Sequence, residues 1–111
     1  MRCHGSNAGH SAIGASESNF IGLNAGSYVT GTKNQLLGAN TSVLPLSLSG
    51  CIAIGDSAVA TKNNQLALGS ATTPLSTILY AGAPVGTTPA RYLPVNLNGA
   101  VVYIPIHLST I

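Results

Sequence analysis

An all-β fold, in which short coils stack into a solenoid and a hairpin follows, is what this sequence predicts. Three observations lead there. A short apolar unit ending in Gly recurs along the first part of the chain, apolar and small residues alternate within it, and Asn98-Gly99 sits between two apolar runs near the end. Recurrence of one unit is the mark of a repeat architecture. Alternation of period two marks a strand with one buried face, and Asn-Gly between alternating runs is the strongest short-range hairpin signal.

In chain order the copies are Ser11-Ala12-Ile13-Gly14, Asn19-Phe20-Ile21-Gly22, Gln35-Leu36-Leu37-Gly38, Ile52-Ala53-Ile54-Gly55 and Leu66-Ala67-Leu68-Gly69. The residue before each Gly is a branched aliphatic, so Ile13, Ile21, Leu37, Ile54 and Leu68 are expected to stack as one apolar column, serving as core or as oligomer contact. Ile52 and Ile54, like Leu66 and Leu68, share a face that must be buried. The Gly then permits a tight turn or a close chain approach. Between Gly55 and Gly69, fourteen residues apart, the polar Thr61-Lys62-Asn63-Asn64 cluster reads as a turn between strands. The longer interval from Gly38 to Gly55 suggests that Leu44 to Gly50 forms a protruding or laterally packed loop.

Beyond Thr73 the pattern changes. Pro74, Pro84 and Pro89, with Gly82 and Gly86, interrupt any ladder. The organisation expected is a roll region over residues 1–73, a junction over 74–90 and a hairpin over 91–111. With Asn98-Gly99 as the turn, Leu97 faces Ala100, Val95 faces Val102 and Leu93 faces Ile104, so Leu93, Val95, Leu97, Val102 and Ile104 form an apolar packing face. A lone hairpin is marginal in water; this one needs a partner surface, most simply the same hairpin from other chains.

Composition narrows the function. Apolar residues make up 45% of the 111 residues and charged residues 5%, with a net charge of +2, one Phe and no Trp. The chain has enough apolar surface to fold, and the small side chains suit a narrow core. Four basic residues are too few for a nucleic-acid footprint. No apolar run reaches the roughly 18 residues of a membrane span, and no signal-peptide stretch follows Met1, so neither membrane insertion nor conventional export is expected. Cys3 and Cys51 match no metal or redox spacing and are expected to be reduced or packed, an interchain bridge being the other reading.

No enzyme is expected. Glu17 and Asp56 are the sole carboxylate side chains and lie in different repeats, which leaves no acid and base pair. No Gly-x-Ser-x-Gly elbow accompanies His4, His10 and His107. A threefold axis would turn His107 into three metal ligands, yet it alternates out of phase with Ile104, Ile106 and Leu108 and reads as solvent-facing; no metal or other cofactor is expected. The Gly22 to Gly26 stretch precedes no helix and reads as a solenoid turn, not a phosphate cradle. Tyr28, Tyr80, Tyr92 and Tyr103 read as packing between chains, with stacking on sugars as the second reading. Thr30, Thr32, Asn63 and Asn64 read as hydrogen-bonding rows or solvated turns.

The segment from Ile52 to Ala60, followed by Asn64 to Ser70, resembles the head repeat of YadA-like trimeric autotransporter adhesins, and Asn19 to Gly26 is similar to repeats of phage and large-virus fibres. The resemblance covers residues 11 to 73. It implies a left-handed parallel β-roll in a parallel homotrimer: a stiff rod that presents a surface to a host glycan or protein receptor. Repeat lengths drift from fourteen, and neither a signal peptide, a membrane-anchoring barrel nor the usual neck is recognised. These departures favour a structural segment of a virion or phage fibre, at the virion surface or in an extracellular appendage. The alternative is a self-assembling extracellular filament or matrix subunit built by end-to-end stacking. A monomeric ice- or carbohydrate-binding solenoid is the third reading, disfavoured by irregular Thr spacing.

Overall fold

The computed structural model describes residues 1–74 and 91–106. The expected junction from residue 75 onward, Tyr80 and His107 lie outside them. Among the described residues the fold is all-β with no helix. Short parallel strands stack into about four solenoid turns. The strands are β1 (Arg2–His4), β2 (Asn19–Ile21), β3 (Gln35–Leu37), β4 (Ser42–Val43), β5 (Ile52–Ile54), β6 (Val59–Ala60), β7 (Leu66–Leu68), β8 (Arg91–Leu97) and β9 (Ala100–Ile106). One sheet runs β1-β2-β3-β5-β7-β8-β9, and β4 pairs with β6 in a second.

The register defines the coil. Arg2 pairs with Asn19, Asn19 with Gln35, Gln35 with Ile52 and Ile52 with Leu66, giving repeats of 17, 16, 17 and 14 residues. The first strand is therefore Arg2–His4 followed by Gly5. Ser11-Ala12-Ile13-Gly14, expected as the first copy, is instead part of the return half of that coil, and Ile13 is 80% exposed there. The sequence signal it imitates is a branched aliphatic before Gly; the copy that pairs has His4 in that place.

Two corners per coil make the chain return on itself. After each strand comes Gly and, two residues later, a residue with left-handed backbone: Asn7, Asn24, Asn40 and Ser57, with φ between 57° and 60°. Asn tolerates this region because its short amide compensates locally. Before the strands β2, β3, β5 and β7, Glu17, Lys33, Gly50 and Asn64 take the same hand. The glycines themselves stand where chains nearly touch. A Cβ on Gly22 would lie 2.6 Å from the Gly38 carbonyl, and one on Gly38 would lie 2.7 Å from that of Gly55. The closeness lets each Gly N–H reach the coil before it, Gly38 donating to Ile21 O at 2.8 Å and Gly55 to Leu37 O at 2.9 Å.

A three-residue strand has one side chain inward and two outward. The inward ones are Phe20, Leu36, Ala53 and Ala67, all buried, while Cys3 holds that position in the first coil and is exposed. The return halves add Ala25, Val29, Thr41, Val43, Ala58 and Ala60 to the interior. Side chains shrink from Phe20 and Leu36 to Ala53 and Ala67 as the repeat shortens to 14 residues, because a shorter loop encloses less space. Phe20, the sole Phe, fits because Gly26 lies against its ring, where a Cβ would fall within 2.6 Å of three ring atoms.

Polar side chains satisfy the backbone groups at the corner before the strand. Ser18, Asn34, Cys51 and Gln65 are buried there. Asn34 accepts from Cys51 N–H at 2.9 Å and donates to Leu48 O at 2.8 Å and Gly31 O at 3.2 Å. Cys51 is a free thiol whose Sγ lies 3.2 Å from Lys62 O.

The stretch expected as a protruding or laterally packed loop, Leu44 to Gly50, is bonded into the wall of the roll. Leu44 N–H donates to Ala60 O, Leu46 O accepts from Thr30 N–H, and Gly50 N–H donates to Thr32 O. Backbone bonding to both neighbouring coils holds it in the stack, and Leu48 packs on the core.

Candidate functional site

The outward side chains of the long sheet form two columns. One runs His4, Ile21, Leu37, Ile54, Leu68 and Leu97; the other runs Arg2, Asn19, Gln35, Ile52, Leu66 and Val95. Parallel in-register pairing places like beside like along each column. In the second, Asn19 Nδ2 donates to Gln35 Oε1 at 2.6 Å, and from Ile52 onward the residues are aliphatic. A shallow apolar groove lies between the columns, walled by Ile21, Leu37, Ile52 and Ile54 with Asn19 and Gln35 at one end.

Ile21, Leu37 and Ile54 were expected to form a column of stacked aliphatics, and they stack, but not inside the chain. They are 44%, 48% and 40% exposed, and Leu68 is half-buried. The reason is the pleat: the residue before the corner Gly points away from the roll, whose interior takes the residue before it. Ile52 and Ile54 share a face, as their alternation requires, and in the single chain that face is open. His4 and Leu97 extend the column at its two ends without having been expected there. The signal for His4 lay in Gly5-Ser6-Asn7-Ala8, which matches Gly22-Leu23-Asn24-Ala25 in its Gly, Asn and Ala.

The β8 and β9 strands pair antiparallel with Leu97 opposite Ala100, Val95 opposite Val102 and Leu93 opposite Ile104. Asn98 and Gly99 between them have φ of 54° and 88°. Pairing of Leu66 with Val95 and Leu68 with Leu97 sets Leu93, Val95 and Leu97 on the continuation of the outer face. Val95 is buried, Leu97 and Val102 are half-buried, and Leu93 and Ile104 are exposed.

The face is an apolar stripe about five strands long with no titratable residue between Ile21 and Leu68. No family model, curated protein or solved structure matches the chain. Its chemistry is therefore read from its own residues. The aliphatic side chains from Ile21 to Leu97 in one column, and from Ile52 to Val95 in the other, offer no nucleophile, proton donor or metal ligand; they offer area to a matching surface. Of the histidines among the described residues, His4 lies in β1 and His10 is edge-on to Tyr28 at 5.7 Å. Among the described residues no group of three His, Cys, Asp or Glu could hold a metal ion.

Proposed function

We propose that this chain is a structural, non-catalytic segment of a trimeric fibre, in which three rolls pack by their outer faces and give a stiff stalk or head for surface attachment. The observation that carries this reading is the register of Ile21, Leu37, Ile54 and Leu68, with Ile52 and Leu66 beside them, on an open sheet face. Identical copies related by an axis cover such a face on every chain at once. The apolar face supplies the need for a partner, and the likeness of the repeat to YadA-like adhesin heads supplies the number three and the left hand of the roll.

On this reading Leu93, Val95, Leu97, Val102 and Ile104 continue the interface as a trimerisation segment beyond the last coil. The location is a virion surface or an extracellular appendage, and the partners are two further copies and a receptor on the host.

The test is the native mass of the purified chain by sedimentation, before and after mild heating in dodecyl sulfate. A resistant mass of three chains is expected. A clean monomer refutes the reading, and growth without limit points to an end-to-end filament instead.

A further inference from the structure

The hairpin has a second face, and its chemistry differs from the first. Because Leu93, Val95 and Leu97 continue the outer columns, Tyr92, Pro94 and Asn96 must point the other way. Asn96 does so: it is buried, pairs with Ala67, and reaches Val59 O at 3.5 Å. On β9 the residues opposite are Val101 and Tyr103. This side overlooks the Lys62-Asn63-Asn64 corner of the last full coil. Between them lies a cleft of about 210 Å³ lined by Lys62, Asn63, Asn64, Pro94, Val101 and Tyr103. A more open apolar hollow of Tyr92, Pro94 and Tyr103 adjoins it, sharing Pro94 and Tyr103.

We propose that this cleft binds an acidic saccharide, with a pyranose ring on Tyr103 and its carboxylate toward Lys62. Tyr103 is 66% exposed, so its ring is open to a ligand. Tyr92 meets it edge-on, with centroids 6.5 Å apart and planes at 85°, which holds the ring while leaving a face open. A rigid aromatic with two side-chain torsions gives contact area at low entropic cost.

The rim is rich in donors. Asn63 has its carbonyl oxygen fixed by Ser49 N–H at 2.8 Å, so its amide nitrogen is oriented in advance. Lys62 forms no ion pair among the described residues. An ammonium and an amide N–H beside an open aromatic suit a ligand with one apolar face, hydroxyls at its edge and a carboxylate. A proline-rich peptide would match the tyrosines and Pro94 but would leave the cation without a counter-charge. Since the cleft belongs to one chain and faces away from the apolar columns, it stands whether or not three chains associate. It gives the attachment reading a ligand class.

The experiment is calorimetric titration of the whole chain with a glucuronic acid-terminated tetrasaccharide and with its neutral glucose-terminated counterpart, with native mass recorded on the same samples. The acidic sugar should saturate and bind about tenfold tighter than the neutral one. Tyr103→Ala should weaken both by about tenfold or more, and Lys62→Gln, at an exposed corner, should abolish only the preference for the acid. Absence of saturable binding, equal binding by both variants, or displacement of the sugar by a proline-rich peptide would overturn the proposal. A native mass of one chain with sugar binding intact counts against the trimer alone.

Discussion

Gly5, Gly22 and Gly38 stand where the backbone of the next coil leaves no room for a methyl group. At Gly38 the backbone φ of +134° and the Gly55 carbonyl 2.7 Å from a built Cβ act together. Gly38→Ala should therefore lower stability by at least ~2 kcal/mol, combining left-sided backbone strain with displacement of the next coil. A urea midpoint equal to that of the parent chain would contradict this. Asn34 works by the opposite means, filling a buried corner with three hydrogen bonds. Asn34→Ala leaves Cys51 N–H and the Leu48 and Gly31 carbonyls without that partner, for an expected loss of about 2–4 kcal/mol in denaturant unfolding. Asn34→Asp keeps the acceptor for Cys51 but loses both donations, so it should fail to restore the parent midpoint.

Each strand of the roll sends neighbouring residues to opposite fates. In β3, Leu36 is buried in the roll while Leu37 is 48% exposed on the outer column. Leu36→Ala should cost the chain about 2–5 kcal/mol through a cavity with no easy collapse. On the proposed trimer, Leu37→Ser should leave secondary structure by circular dichroism unchanged and reduce the native mass, since its side chain lies on the outer face and not in the core. Equal loss of folded signal in both variants would show that the two positions do the same work. The αL corners on either side of a strand explain why so short a segment suffices: three residues of ladder are pinned at both ends, and the Gly N–H extends the pairing by one bond.

Among the described residues the roll tapers in its interior while one column of its outer face stays aliphatic. Phe20 and Leu36 give way to Ala53 and Ala67 inside, but the outer column stays aliphatic from Ile21 through Leu97. A core of small residues is thin, so in the proposed trimer association on the outer face should contribute a large share of the stability. Thermal unfolding of the parent chain is expected to depend on protein concentration. A midpoint constant across a hundredfold range of concentration, with no change in mass, would mean that the roll stands alone.

Much of the architecture was legible in the residues themselves. A branched aliphatic before Gly located the strands at Asn19–Ile21, Gln35–Leu37, Ile52–Ile54 and Leu66–Leu68. That signal works because the corner needs Gly whatever surrounds it. It failed at the first coil, where Cys3 and His4 occupy the strand and Ile13-Gly14 offers an imitation in a turn. What the sequence by itself determined was the repeat, the polar corners and the existence of one continuous aliphatic column. Only the tertiary structure decided which way that column points. Alternation states that Ile52 and Ile54 share a face, but the choice between inside and outside depends on the width of the coil. A loop of 14 to 17 residues, closed by glycines in near contact, has room for Ala53 and Leu36 within it and leaves Ile54 and Leu37 outside.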